Sequence, residues 1–250
     1  MNFSEIHIIG EDETFRGSKS KYVWLFGGIF IFLCFLAMHY STSYISFLFS
    51  NSGGIPYTLI SYLVVLSIGP FMVMITSFDI VSSETETGSL RYIISKAHRS
   101  SFVLGKFSFL FLVFTSMSFG VALISLIYQY STSNTFQFEK IVLFLISSSL
   151  YLGCFISIFL FISILSANNK ISFAMSAVFL GILIFFFLQG DESYLKYFTP
   201  YYYGIKNIEF MKSFPVEAGY LKIFESLCSM LLYMLVFLFM SLAAINRRDL

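Results

Sequence analysis

Charge is what this sequence has least of. Of its 250 residues only 12% are Asp, Glu, Lys or Arg, about half the one-quarter share of ordinary soluble domains. The net charge is +1, too small for a global field that gathers nucleic acid or acidic partners. Cysteine is scarce too. Cys34, Cys154 and Cys228 each fall inside an apolar run without CxxC spacing, so they read as small core hydrophobes rather than a disulfide or metal set. Catalytic signatures are missing. There is no HExxH or GxSxG, and His7, His39 and His98 are scattered. A phosphate loop needs G-x-x-x-x-G-K-[ST], but Gly105-Lys106 is followed by Phe107 and has Ser100 where the first glycine belongs. These absences argue against an enzyme and against a nucleotide, metal or other cofactor bound by this chain.

What is present is apolar surface. Hydrophobic residues make up 57% of the chain, aromatics 20%, and the mean hydropathy is +0.82. A soluble protein of this size could not hide so much of it. The excess needs lipid as solvent, which excludes a soluble enzyme, a nucleic-acid binder and a disordered chain. A membrane helix needs about 20 mostly apolar residues. Six such runs occur, at roughly 22–40, 55–78, 104–128, 141–165, 171–189 and 223–245. None has an ionised side chain in its middle; His39 and Glu225 lie near run ends, close enough to an interface to snorkel. A proton-coupled carrier would need a buried carboxylate, so energy for any transport must come from elsewhere. Gly69-Pro70 inside the second run predicts a kink, with the carbonyl freed by proline satisfied by a neighbouring helix.

The N-terminal 21 residues carry Glu11, Asp12, Glu13, Arg16, Lys19 and Lys21. That is too long and too acidic for a cleavable leader, so the first run reads as a retained span. Basic residues then set the orientation. One side of the six runs carries Arg16, Lys19, Lys21, Arg91, Lys96, Arg99, Lys106, Lys170, Arg247 and Arg248; the other carries Lys140, Lys196, Lys206, Lys212 and Lys222. The positive-inside rule places the first set, and both termini, in the cytoplasm. The outer loops are then 41–54, 129–140 and 190–222. The last is rich in aromatics, including Tyr194, Tyr197, Phe198 and Pro200-Tyr201-Tyr202-Tyr203. Two readings stay open for it: an aromatic belt at the membrane–water interface, or an extracytoplasmic gate that meets substrate.

The segment 79–106, D-I-V-S-S-E-T-E-T-G-S-L-R-Y-I-I-S-K-A-H-R-S-S-F-V-L-G-K, is the most polar stretch between runs. Leu90, Ile93, Ile94 and Ala97 recur at helical spacing and make one apolar stripe, with Arg91, Ser95, Lys96 and Arg99 off it. Ser83 and Glu86 have capping-box spacing. Glu84 and Glu86 near the start, with Lys96 and Arg99 near the end, suit a helix dipole. A short amphipathic helix at the cytoplasmic surface is expected, either a membrane-surface connector or a helix that docks into a partner groove.

These residues resemble the signature of ABC-2-type transporter permeases (type V exporter-like), the membrane subunits of many bacterial ABC exporters. Asp79, Ile80, Glu84, Glu86, Gly88, Ser89, Leu90, Ser95, Arg99, Gly105 and Lys106 match it, and Ile93 and Ile94 replace its two leucines. The family's proline is absent near Ala97-His98, and the Gly88-to-Gly105 distance is one residue short.

The resemblance implies an all-α integral membrane protein with six transmembrane helices. It implies an N-terminal amphipathic elbow helix, anchored by Phe3, Ile6 and Phe15, and a cytoplasmic coupling helix between helices 2 and 3. Short re-entrant helices between helices 5 and 6 would include the Pro200–Tyr203 stretch. Residues 1–250 would be a single transmembrane permease domain, with the elbow at 1–21, the coupling loop at 79–103 and the extracytoplasmic loop at 190–222. The implied partners are an ATP-binding cassette ATPase subunit, which carries ATP and Mg, a second permease copy (homodimer or close paralogue) and membrane lipid, with no nucleic acid.

For coupling to the ATPase, the expectation is that Leu90, Ile93 and Ile94 grip, Glu84, Glu86, Arg91 and Arg99 fix register, and Gly88 lets the backbone turn. Lys106 would anchor the third span among headgroups. The implied activity is export of an amphipathic, peptide, lipid or drug-like substrate across a bacterial cytoplasmic membrane. The alternatives are a non-transporting scaffold or sensor that recruits a soluble partner through the same helix, and a gradient-driven carrier.

Overall fold

A computed structural model describes residues 8–11, 21–44, 57–90, 92, 98–133, 138–189, 194–212 and 220–247. Every regular element among them is helical: α1 (Lys21–Tyr44), α2 (Tyr57–Ser77), α3 (Ser82–Glu86), α4 (Arg99–Ser133), α5 (Phe138–Leu165), α6 (Asn169–Leu188), a 3-10 turn (Tyr194–Phe198), α7 (Pro200–Lys212) and α8 (Tyr220–Arg247). Five stretches are long and apolar enough to cross a membrane: Tyr57–Glu86, Arg99–Ser131, Phe138–Leu165, Asn169–Leu188 and Tyr220–Arg247. Within α1 lies a shorter apolar stretch, Leu25–Tyr40. The chain is therefore an all-α integral membrane protein.

α5 is the central post, packed by α2, α4 and α8 and touched by α3, α6 and α7. Small residues make this possible, because in lipid helices associate by close packing rather than by hydrophobic exclusion. Ser147, Ser148, Ser157 and Ser163 on α5 are all fully buried. A Cβ on Gly153 would come within 2.8 Å of the Met234 sulfur of α8 and 3.1 Å of the Phe111 ring of α4.

α2 runs through Pro70 without a break. Proline has no N–H for the carbonyl four residues earlier, here that of Leu66. The Tyr151 hydroxyl of α5 donates to that carbonyl at 3.0 Å. The expectation that a neighbouring helix satisfies the freed group holds, and Tyr151 is the residue that does it.

Cys34 and Cys154 are buried in the core as expected, but Cys228 is exposed. It lies on α8, most of whose apolar surface faces outward, so an apolar run did not imply burial there. Of the elbow, residues 8–11 are helical; Phe3, Ile6 and Phe15 lie outside the described residues. Ile9 packs so closely on α4 that a Cβ on Gly105 would sit 2.7 Å from its Cγ2.

Candidate functional site

The segment after α2 is folded down onto the helix ends. Val81 and Ser82 both donate their backbone N–H to the Ser163 Oγ of α5, at 3.1 Å each. Ser163 in turn donates to the Phe78 carbonyl at 2.9 Å. One hydroxyl thus fixes the start of α3. The expected Ser83/Glu86 capping box is not formed: α3 begins at Ser82 after Val81, with no side-chain cap. The main chain reverses at Gly88, whose φ is +73°. Glycine adopts that left-handed conformation without steric cost, so the expected turn is real.

The signature residues are then used inside the chain. Glu84 pairs with Lys106 of α4 at 2.7 Å, and the two side chains are 16% and 3% exposed. The same ammonium stands 5.1 Å from the Phe102 ring centre. Lys106 therefore does not reach up to headgroups as expected, because its charge is neutralised beneath α3. Glu86 accepts the backbone N–H of Asn169, the first residue of α6, at 3.1 Å, while Asn168 caps the same helix end by accepting from the Ile171 N–H at 2.9 Å. A carboxylate suits the positive end of a helix. Arg99 donates to the carbonyls of Ile245 and Asn246 at 3.2 and 3.1 Å, covering the end of α8.

Leu90 is 1% exposed, packed with Val81, Phe102, Val103, Leu160, Ile164 and Ile245. Expected as a grip on a partner, it is held in this chain's own core, since the turn at Gly88 brings it back beneath Val81 and over the start of α4. Arg91, Ile93 and Ile94, expected beside it, lie outside the described residues. What remains accessible is a polar edge of Glu86, Thr87, Gly88 and Ser89, followed by Tyr92 at 65% exposure. Tyr92, Ser163 and Asn169 were missed by sequence reasoning. A serine close to the end of an apolar run and an Asn-Asn pair before another were the available signals.

The opposite end of the bundle is closed by α7. Pro200 opens this helix, at the position where its missing N–H is harmless. Tyr201 turns inward, with ring centroids 6.2 Å from Tyr151, 5.4 Å from Phe155 and 5.9 Å from Phe187. It is buried, not part of a lipid-facing belt. Tyr202 packs on Tyr197 and Tyr203 at 4.7 and 5.3 Å, and Lys196 stands over Tyr197 and Tyr202. Tyr194, Tyr197 and Phe198 are exposed. The buried Asn207 accepts from the Ser226 hydroxyl of α8 at 2.8 Å. A Cβ on Gly204 would meet Leu66 at 2.5 Å and the Tyr151 ring at 3.1 Å, so glycine lets α7 sit this close. The half-buried Lys206 and the exposed Glu225 approach to 3.8 Å.

Among the described residues no group of three or more His, Cys, Asp or Glu is placed to hold a metal. Fold and loop together define a multi-pass membrane protein with a tied-down polar segment between its second and third apolar runs. The family described as ABC-2 family transporter protein matches residues 9–250, and the chain belongs to that family. No curated protein matches the chain. It is a membrane permease of an ABC transporter, a transport subunit not itself catalytic, and its family implies association with an ABC ATPase subunit.

Proposed function

We propose that the whole chain is one permease domain of an ATP-driven exporter. It would cross the bacterial cytoplasmic membrane six times, with α1 as the first span and both termini in the cytoplasm. At 24 residues and about 1.5 Å per residue, α1 is long enough for the hydrocarbon core. The excess of Lys and Arg on the signature-loop side supports the orientation. Two permease copies, identical or closely related, would flank the pathway. ATP and Mg would sit on the partner ATPases.

The observation that carries the coupling reading is the exposed edge Glu86–Ser89 with Tyr92, standing on a segment tied to α4, α5 and α6. A partner that pushes this edge moves three spans at once, because Glu84, Glu86 and Ser163 bind it to them. Among the described residues the five helices of membrane-crossing length carry charge only toward their ends, as at Lys106, Lys140, Lys170, Glu225 and Arg247. This supports an amphipathic peptide, lipid or drug-like substrate over a small ion.

The test is co-purification followed by reconstitution. The chain should bring down a stoichiometric ATP-binding subunit, and proteoliposomes of the pair should move a fluorescent amphipathic peptide or lipid only with ATP. Movement driven by an ion gradient without ATP, or a partner that binds no nucleotide, would overturn the reading in favour of a carrier or a scaffold.

A further inference from the structure

On the signature-loop side, the last turns of α5 and α8 leave an open groove of about 470 Å³. Phe161, Ile164 and Leu165 form one wall, and Met240 and Ala244 the other, with Arg247 at the mouth. Arg247 lies in the final turn of α8 and, among the described residues, is the one charged residue that lines the groove. Ile164 makes a dry floor at 1% exposure. Arg99 already covers the Ile245 and Asn246 carbonyls, so less of the negative partial charge of that helix end is left to offset Arg247.

We propose that this groove seats one acyl chain of a membrane phospholipid, with the phosphate of an anionic headgroup on Arg247. Charge complementarity and depth favour lipid. The lining is apolar up to the helix ends and turns cationic where the headgroups begin. From Met240 to Arg247 is two turns of helix, about 10 Å, enough to lay part of a chain along α8. A peptide would bring backbone N–H and C=O groups into a slot whose described lining side chains, Arg247 apart, are all apolar, and each unpaired group costs free energy in lipid. The site needs only the multi-pass membrane placement; calling its leaflet cytoplasmic rests on the orientation proposed above. Basic pockets between helix ends are a recurring way to select anionic lipid.

Native mass spectrometry of the full chain in mild detergent tests this, with phosphatidylglycerol and phosphatidylcholine of matched acyl chains as probes. One basic residue at the surface corresponds to about fivefold tighter binding of the anionic lipid. Arg247→Gln should bring the ratio close to one, and Arg247→Lys should keep most of it. Ala244→Phe, which fills the groove, should weaken both lipids. Should that variant fail to fold, a diazirine-labelled acyl chain on the unmodified protein serves instead, and its label should map to 161–165 and 240–247. Unchanged selectivity in Arg247→Gln, label elsewhere, or cross-linking of a second copy through the groove that excludes lipid would each overturn the proposal. None of these outcomes depends on whether an ATPase binds, so they are separable from failure of the permease reading.

Discussion

The two ends of the bundle are held by different chemistry. On the signature-loop side, charges bind α3 to its neighbours: Glu84 to Lys106 and Glu86 to the start of α6, with Arg99 on the end of α8. On the α7 side, neutral groups do the work: Tyr151 on the Leu66 carbonyl, Ser226 on Asn207, and Tyr201 among aromatic rings. Neutral contacts keep a cap in place without long-range fields. Charged ties fix direction as well as position, which a segment that transmits a push requires. The difference supports the proposal that the loop side is where a partner's push enters the permease.

The comparison breaks most severely at Lys106. Lys106→Met leaves the Glu84 carboxylate without its ion-pair partner under α3, and loss of one partner of a buried pair costs about 3–5 kcal/mol. Thermal unfolding in detergent should fall sharply. The swap Glu84→Lys with Lys106→Glu should recover a large part, and failure to recover would mean the pair matters for shape rather than charge.

At the neutral end, Tyr151→Phe leaves the carbonyl freed by Pro70 unpaired, a cost of about 1–3 kcal/mol. The same change should cost less in a Pro70→Ala background, where residue 70 supplies its own N–H. Equal cost in both backgrounds, read from a double-mutant cycle, would refute that pairing.

Gly88→Ala meets no atom within 4 Å, so its whole cost is the left-handed backbone, about 1–2 kcal/mol. Gly88→Asn should be milder, since asparagine tolerates that region. Proteolysis confined to the loop is the suitable readout. Smallest of all is Glu225→Gln. Its contact with Lys206 is long at 3.8 Å and Glu225 itself is exposed, a pair of the kind that contributes little, so the unfolding temperature should not move. A measurable drop would show charge holding the α7 end as well.

The five stretches long and apolar enough to cross a membrane were legible because long apolar runs have one physical meaning. Which helix occupies the centre was not. α5 and α8 are both 28 residues long and their most apolar stretches are equally apolar, yet 72% of that stretch of α5 is buried against 22% of that of α8. Lipid and protein are equally good solvents for a leucine, so hydropathy cannot separate them. The buried serines and Gly153 of α5 carried the missing signal.

The loop was recognisable from Glu84, Glu86, Gly88 and Leu90, but their contacts were not. An apolar stripe says that a face is covered, and Leu90 is covered by its own chain. The Glu84–Lys106 pair spans 22 residues and no local pattern announces it. In 190–222 the short helix expected around Pro200–Tyr203 is present, but which of its tyrosines turns inward was not legible, because consecutive residues on a helix face different ways.

The most direct test places single cysteines at neighbouring positions in the membrane-embedded complex, Ser89→Cys and Leu90→Cys, and treats both with a short thiol cross-linker. The account predicts that Ser89→Cys joins the chain to its ATP-binding partner and that Leu90→Cys, buried beneath α3, does not. Equal cross-linking from both positions, or from Leu90→Cys alone, would contradict it, because the docking edge would then be the apolar stripe and the charged ties would not define the coupling surface.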